Sequence, residues 1–263
     1  MGSLKDAVNR IRPAVVQIGV SASLPDGKAL DRVIAGTGFF VSQGQYVATA
    51  AHVIQKTKSE LTDLGANQIS FNARIPQKDI ESTIKARRGF MDVPIDSFEF
   101  DEVNDLALLR LPAKIGREGL HLKIEAEGKT YEITEVKDAT LHSGRLSVGE
   151  EIAVAGFPLR SAYMLIQHGI VSAIPVLPIP GSEREHEEIV TDIMIHPGNS
   201  GGPAFLAHNG KVLGVCRAHQ LAPILSQDQD RPTLYQHAGL SLITPVRFLL
   251  ELLDKQGIPH KVE

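Results

Sequence analysis

Apolar and polar residues alternate along most of this chain with the period of a strand, and only rarely with that of a helix. Val15-Val16-Gln17-Ile18-Gly19-Val20 reads as the first strand. Before it, Ser3-Leu4-Lys5-Asp6 can cap a short helix that must stop near Pro13. Gly36-Thr37-Gly38-Phe39-Phe40-Val41, the turn residues 42–45 and Tyr46-Val47-Ala48-Thr49-Ala50 form the pattern of a hairpin. Further strands are expected over 69–73, 83–86, 106–111, 152–155, 169–174, 188–194, 211–216 and 239–243. One long helix is expected, at the end: Thr244 as N-cap, Pro245 at the first helical position, Val246, Leu249, Leu250 and Leu253 on one face, and Gly257 as the stop. Short strands separated by turn signals predict an all-β sandwich or barrel, with that helix packed on its surface.

Charge and glycine concentrate over 114–131, which places a crossing near 117 and divides the chain into halves 1–117 and 118–263. Residues 175–188, rich in proline and then in charge, are expected as an exposed loop. A second long loop is expected over 218–237, with Pro223, Pro232 and the run Gln227-Asp228-Gln229-Asp230, and such loops often serve as lids or recognition elements. The 263 residues are 43% hydrophobic, enough for a sizeable core. Acidic residues number 31 against 27 basic ones, a net charge of −4, so no basic face invites nucleic acid or an anionic membrane and neither is expected as a partner. No apolar run reaches the roughly 18 residues of a membrane-spanning helix. Arg10 and Arg12 before residues 14–20 have the outline of a signal peptide, but Gln17 and Gly19 interrupt the short apolar part, so the strand is the better reading. The single Cys216 cannot form an internal disulfide, which matches a reducing compartment, and the cytoplasm is the expected location. Its apolar surroundings predict an inert core thiol.

The chemistry centres on His196-Pro197-Gly198-Asn199-Ser200-Gly201-Gly202-Pro203. Glycines around Ser200 let the loop curl until the N–H groups of Gly198 and Ser200 point the same way, as an oxyanion hole requires. Each such donor is worth about 3–4 kcal/mol on the transition state of acyl transfer. An ordinary glycine-rich turn would look the same in isolation. A serine nucleophile also needs an imidazole to take its proton and a carboxylate to orient the imidazole. His52, in Thr49-Ala50-Ala51-His52-Val53, follows a strand where small residues leave room for a ring. Asp105 opens the apolar run Asp105-Leu106-Ala107-Leu108-Leu109. Alone, His52 reads more readily as a structural histidine and Asp105 as a turn residue; together with Ser200 they form one constellation. Asp101, among acidic neighbours in Ser97-Phe98-Glu99-Phe100-Asp101-Glu102, reads as part of a solvated turn.

Thr49-Ala50-Ala51-His52, Asp105-Leu106-Ala107-Leu108-Leu109 and Gly198-Asn199-Ser200-Gly201-Gly202-Pro203 resemble the three motifs of trypsin-like serine proteases, most closely those of the HtrA/Deg branch. Gly36-Thr37-Gly38-Phe39-Phe40, Gly156-Phe157-Pro158, Gly169-Ile170-Val171-Ser172, Thr191-Asp192 and Gly239-Leu240-Ser241-Leu242-Ile243-Thr244-Pro245 support the likeness, which spans roughly residues 11–250. The resemblance implies two six-stranded antiparallel β-barrels with the active site in the cleft between them, His52 and Asp105 from the first and Ser200 from the second. It further implies a polypeptide substrate, hydrolysis through an acyl-enzyme, and no metal or organic cofactor. HtrA proteins usually carry PDZ domains after the protease domain, whereas this sequence stops soon after the helix, so a PDZ-less relative or an excised domain is expected. No Ile-Val-Gly-Gly-like activation site follows a basic residue, so control is expected through loop ordering, a regulatory partner or a homo-oligomer.

The resemblance also places Met194, six positions before the nucleophile, at the base of the primary specificity pocket. An apolar thioether there cannot compensate the burial of a cation, so small or medium apolar residues should be preferred before the cut. Arg217, Ala218 and His219 fall on the strand lining the same channel, and Arg217 or His219 pointing inward would instead favour acidic residues. Two other classes compete. A catalytically silent or partner-activated peptide-binding module would keep the cleft without the activity. An α/β-hydrolase esterase shares the short Gly-x-Ser-x-Gly pattern but requires serine before histidine, against the order His52, Asp105, Ser200 and the lack of alternating helices.

Overall fold

The first helix, α1 (Leu4–Ile11), starts on the expected capping box: Ser3 Oγ accepts from the Asp6 N–H, and the Asp6 carboxylate accepts from the Ser3 N–H. The computed structural model describes residues 2–76, 90–112, 124–126, 129–131, 136–178, 185–224 and 234–263. Seven strands follow in the first half: β1 (Val15–Ser23), β2 (Ala29–Ser42), β3 (Tyr46–Ala50), β4 (Gln68–Pro76), β5 (Phe90–Pro94), β6 (Ser97–Asp101) and β7 (Leu106–Arg110). They form one antiparallel sheet in the order β5-β4-β1-β2-β3-β7-β6. Helix α2 (Ala51–Asp63) leaves directly from β3.

After a small hairpin of β8 (Ile124–Ala126) and β9 (Lys129–Tyr131), the second half carries β10 (Thr140–Leu141), β11 (Glu151–Gly156), β12 (Leu165–Ala173), β13 (Val176–Pro178), β14 (Glu185–Glu187), β15 (Ile189–Thr191), β16 (Pro203–Leu206), β17 (Val212–Ile224) and β18 (Leu234–Pro245). Helix α3 (Val246–Lys255) and β19 (Lys261–Val262) complete it. The order β16-β11-β12-β15-β18-β17, with β17 pairing back onto β16, closes a six-stranded barrel. The first sheet is a curved half-barrel whose edges do not pair among the described residues. The all-β architecture with a C-terminal helix is therefore present, with one barrel closed rather than two.

The long apolar runs arise because both faces of the first sheet are buried. Val16, Ile18, Val20, Phe40, Ala107 and Leu109 fill its concave core. Their alternates Val15, Phe39, Val41, Leu106 and Leu108 join a second core with α1 and α3. Ile152, Val154, Val171, Leu213, Cys216 and Ile243 fill the closed barrel. Helix α3 is thus wedged into a core drawn from both halves of the chain, more deeply than a surface helix would be.

Several expectations change. Pro245, not Thr244, is the N-cap of α3, which ends at Gly257 (φ 64°) with Ile258 N–H on the Leu253 carbonyl and Gly257 N–H on that of Asp254. The loop expected over 218–237 is paired at both its ends, β17 with β18 out to Ile224↔Leu234, and its remainder, 225–233, lies outside the described residues. Likewise Val176–Pro178 pairs with Glu185–Glu187 inside the loop expected over 175–188. The strand expected at 83–86 and the crossing near 117 lie outside the described residues. Among the described residues, no helix is long and apolar enough to cross a membrane.

Candidate active site

His52 is the second residue of α2, and its position follows from how that helix begins. Ala50, at the N-cap, offers no side-chain hydrogen bond, so the first helical N–H groups must find acceptors elsewhere. The β3–β7 ladder ends at Ala50↔Leu106. One step further, the Ala51 N–H donates to the Asp105 carbonyl oxygen at 3.0 Å, and the His52 N–H donates to Asp105 Oδ1 at 2.9 Å. Asp105 therefore caps α2 from a neighbouring strand and sets a carboxylate at the positive end of the helix. Its φ of 54° is the left-handed conformation that aspartate tolerates better than most residues.

The other carboxylate oxygen, Asp105 Oδ2, lies 2.7 Å from His52 Nδ1. With the Nδ1 proton shared to Asp105, the lone pair of the neutral ring sits on Nε2, the arrangement a general base needs. Asp105 is 13% exposed and His52 37%, so the carboxylate is sheltered while the imidazole is open on one side.

Ser200 approaches from the second half. His196-Pro197-Gly198-Asn199 is a turn closed by the Asn199 N–H on the His196 carbonyl at 2.9 Å, with proline second and glycine third at φ 100°. Gly198 is required twice, since a Cβ there would also meet Pro158 Cα at 3.1 Å. Neither the Gly198 nor the Ser200 N–H donates a backbone hydrogen bond among the described residues, which leaves both as candidate oxyanion donors. The loop is pinned to the first sheet by buried Thr37. Its N–H donates to the Ser200 carbonyl at 2.9 Å and its hydroxyl to the Gly198 carbonyl at 2.6 Å, while Phe157 N–H donates to that hydroxyl at 3.0 Å. Thr49 Oγ1, three residues before His52, donates to the Thr37 carbonyl at 2.7 Å, and a Cβ on Gly201 would collide with that same Thr49 oxygen. Ser200 thus docks against the strand end that carries His52. Its hydroxyl, however, donates to the Arg217 carbonyl at 3.3 Å; His52 Nε2 is not its partner.

Of the other residues singled out, Met194 is 40% exposed. Its carbonyl accepts from Gln167 Nε2 at 2.6 Å, and Gln167 in turn accepts from Asn199 Nδ2 at 2.6 Å. Ala218 and His219 lie on β17 opposite Leu242 and Ser241. The Arg217 guanidinium turns inward to Glu188 and Asp105. Asp101 is not a free solvated carboxylate: it accepts from the Asn104 N–H at 3.2 Å and Nδ2 at 2.6 Å, holding the turn that presents Asp105.

Sequence reasoning did not assign roles to Thr37, Gln17, Asn104, His186 or Glu188. Gln17, fully buried, joins the halves by donating to the Ser161 carbonyl at 2.8 Å and accepting from Arg74 Nη1 at 2.8 Å. A polar residue inside an otherwise apolar strand was the available signal for Gln17 and Thr37. His186 sits in a stretch that reads as loop and Glu188 where that loop meets the expected strand over 188–194, and neither position carried a signal.

A closed six-stranded barrel joined to a curved half-barrel, with a helix after the last strand, is the architecture of the chymotrypsin fold. The family profile described as trypsin-like peptidase domain matches residues 36–215, and the chain belongs to that family. It is similar to serine protease HTRA1 of Xenopus laevis, 28% identical over 216 residues that cover 81% of this chain and 37% of the relative. Human serine protease HTRA3 is 26% identical over 261 residues, covering 96% of this chain and 46% of the relative. The chain thus spans less than half the length of either relative. A solved HtrA-type protease, AlgW with a tripeptide, shares the fold at a TM-score of 0.58 and 21% identity, over 96% of this chain and 63% of that one.

Proposed function

We propose that this protein is a serine endopeptidase in which Ser200 is the nucleophile, His52 the general base and then acid, and Asp105 the carboxylate that orients the imidazole. The 2.7 Å pairing of His52 Nδ1 with Asp105 Oδ2, at the strand end against which the Ser200 loop is docked, carries this reading. Ser200 Oγ attacks the scissile carbonyl carbon as its proton passes to His52 Nε2. The oxyanion receives the Gly198 and Ser200 N–H groups. The C–N bond then breaks, the amine leaving with the proton from Nε2, and water, deprotonated by the same nitrogen, releases the acyl group.

A second reading rests on the Ser200 hydroxyl, which is bonded to the Arg217 carbonyl at 3.3 Å. In this state the serine is parked, and attack requires rotation of the hydroxyl toward Nε2, triggered by substrate, a regulatory partner or a homo-oligomeric contact. A fluorophosphonate probe separates the readings. Labelling of the parent but not of Ser200→Ala supports an active nucleophile, and Ser200→Ala or His52→Ala should lower peptide turnover by about 10⁴-fold or more with little change in melting temperature. Parent protein that resists the probe until a partner is added would favour the parked form, and wild-type-like proteolysis by either variant would overturn the assignment.

Met194 supports a pocket for small or medium apolar residues before the cut, because a cation buried against a thioether has no compensating charge. Profiling cleavage sites on denatured protein should therefore show alanine, valine, leucine or methionine; cutting after lysine or arginine would refute this. The single cysteine supports action in a reducing compartment such as the cytoplasm.

A further inference from the structure

The proposed triad carboxylate has a second, cationic neighbour. Arg217 Nε lies 3.6 Å from Asp105 Oδ2, the same oxygen that meets His52 Nδ1. The guanidinium does not float there. Its Nη1 donates to Glu188 Oε1 at 2.7 Å and lies 3.3 Å from His186 Nε2. Glu188 is 12% exposed and Arg217 30%, so these contacts are sheltered more than a surface pair would be.

His186 closes the network back onto the acid. Its ring stacks on Phe248 of α3, centroids 5.5 Å apart at 9°, and its Nδ1 lies 3.2 Å from Asn104 Oδ1. Asn104 directly precedes Asp105, and its Nδ2 is already committed to Asp101, so Oδ1 is the acceptor and His186 Nδ1 carries the proton. His186 Nε2 faces Arg217 Nη1 and also lies 3.5 Å from Glu188 Oε1. Glu102 accepts from Gln55 of α2, and Arg247 of α3 lies 3.7 Å from Glu187.

We propose that Arg217 is a positioning residue: held by Glu188 and His186, its guanidinium fixes the Asp105 carboxylate in the rotamer that serves His52. This rests on the serine-protease reading of the site. Two features of Arg217 argue against a role in reading acidic substrates instead: its charge is shared between two carboxylates, and its fork is oriented toward them. A planar guanidinium can bridge Glu188 and Asp105 at once. A lysine supplies the charge but only one point of attachment.

The test uses the full chain as the Ser200→Ala protein, followed by proton NMR of the His52 Nδ1–H that bridges to Asp105. This signal needs no proteolysis, so it reports on the proposal even where the protease reading fails, and fluorophosphonate labelling reports on that reading separately. Arg217→Met should shift the bridging proton and broaden it through faster solvent exchange while the fold is retained by circular dichroism. Arg217→Lys should restore it in part, and Glu188→Gln, which loosens the guanidinium without removing it, should give an intermediate spectrum. In the Ser200 protein, Arg217→Met should lower kcat by about tenfold with KM within about twofold. A bridging proton unchanged in position and width in a folded Arg217→Met protein would overturn the proposal, as would a kinetic change confined to KM for substrates with acidic residues before the cut. Should Arg217→Met fail to fold, Glu188→Gln decides by the same spectrum.

Discussion

Asp105 does two jobs with one side chain. Oδ1 accepts the His52 backbone N–H and Oδ2 faces the His52 ring, so the residue that would orient the base also starts the helix that carries it. Asp105→Asn separates the two functions. Asparagine tolerates the left-handed backbone as aspartate does, so the turn survives. Its amide, however, brings an N–H where the carboxylate accepted one, and loses the charge at the helix end, at a cost of about 1 kcal/mol in stability. Turnover should fall by about 10⁴-fold, because the imidazole is turned to the wrong tautomer. Asp101→Asn should cost less than about tenfold, since asparagine can still accept from the Asn104 N–H and hold the turn. Steady-state kinetics on one peptide ranks the two variants, and the reverse order would show that the wrong acid was chosen. The sequence distinguished these aspartates by their following residues, one before an apolar strand and the other among charges. It did not reveal that Asp101 supports the turn, because that depends on the Asn104 side chain folding back over three residues.

At the scale of elements, strands were legible where alternation was regular and both flanks carried turn residues, as at Val15–Ser23, Tyr46–Ala50 and Leu106–Arg110. Helix α2 was not. Ala51 to Asp63 begins without a capping side chain of its own, and the acceptors that start it come from Asp105, more than fifty residues away, so no local pattern announced it. The β17–β18 extension failed for a different reason. Pro223 and the nearby Gln/Asp run carry loop chemistry, yet Pro223 occupies a strand position opposite Tyr235. Proline is tolerated where its missing N–H is not needed by a ladder partner. The His–Asp–Ser order was readable because each residue sits at a strand end or turn, whereas Arg217, Glu188 and His186 come together only through the packing of β17, the β14–β15 connection and α3. At this scale Thr37 makes a sharp prediction. Its hydroxyl ties the Gly198 carbonyl to the Phe157 N–H inside a buried junction. Thr37→Val keeps the shape but leaves the Phe157 N–H and the Gly198 carbonyl unpaired, about 1–3 kcal/mol of lost stability for each unsatisfied group. The loop bearing Ser200 should also lose its alignment, so fluorophosphonate labelling should slow by at least about tenfold. Unchanged labelling would mean that the Thr37 contacts do not set the oxyanion loop.

For the whole molecule, one half-buried base predicts how stability responds to acid. His142 follows β10, where its backbone N–H donates to the Val212 carbonyl at 2.8 Å, and its Nδ1 is buried without a hydrogen-bond partner. Burial disfavours the charged ring and holds its pKa below the ordinary value of 6.5; Glu150 opposes this, and Lys211 and His208 reinforce it. In the unfolded chain the ring takes up a proton near its ordinary value, so between the two values the unfolded state binds more protons than the folded one. Stability is then full above pH 6.5 and declines as pH falls through the folded-state value. The measurement is the melting temperature of parent and His142→Gln between about pH 7.5 and about pH 5.5, where histidines titrate. The parent should lose more than the variant over that interval, whatever their difference at the upper end, because glutamine binds no proton. Parallel curves would show that the proton taken up on unfolding goes to another histidine, and that the region around β10, β17 and β19 does not contribute to acid sensitivity.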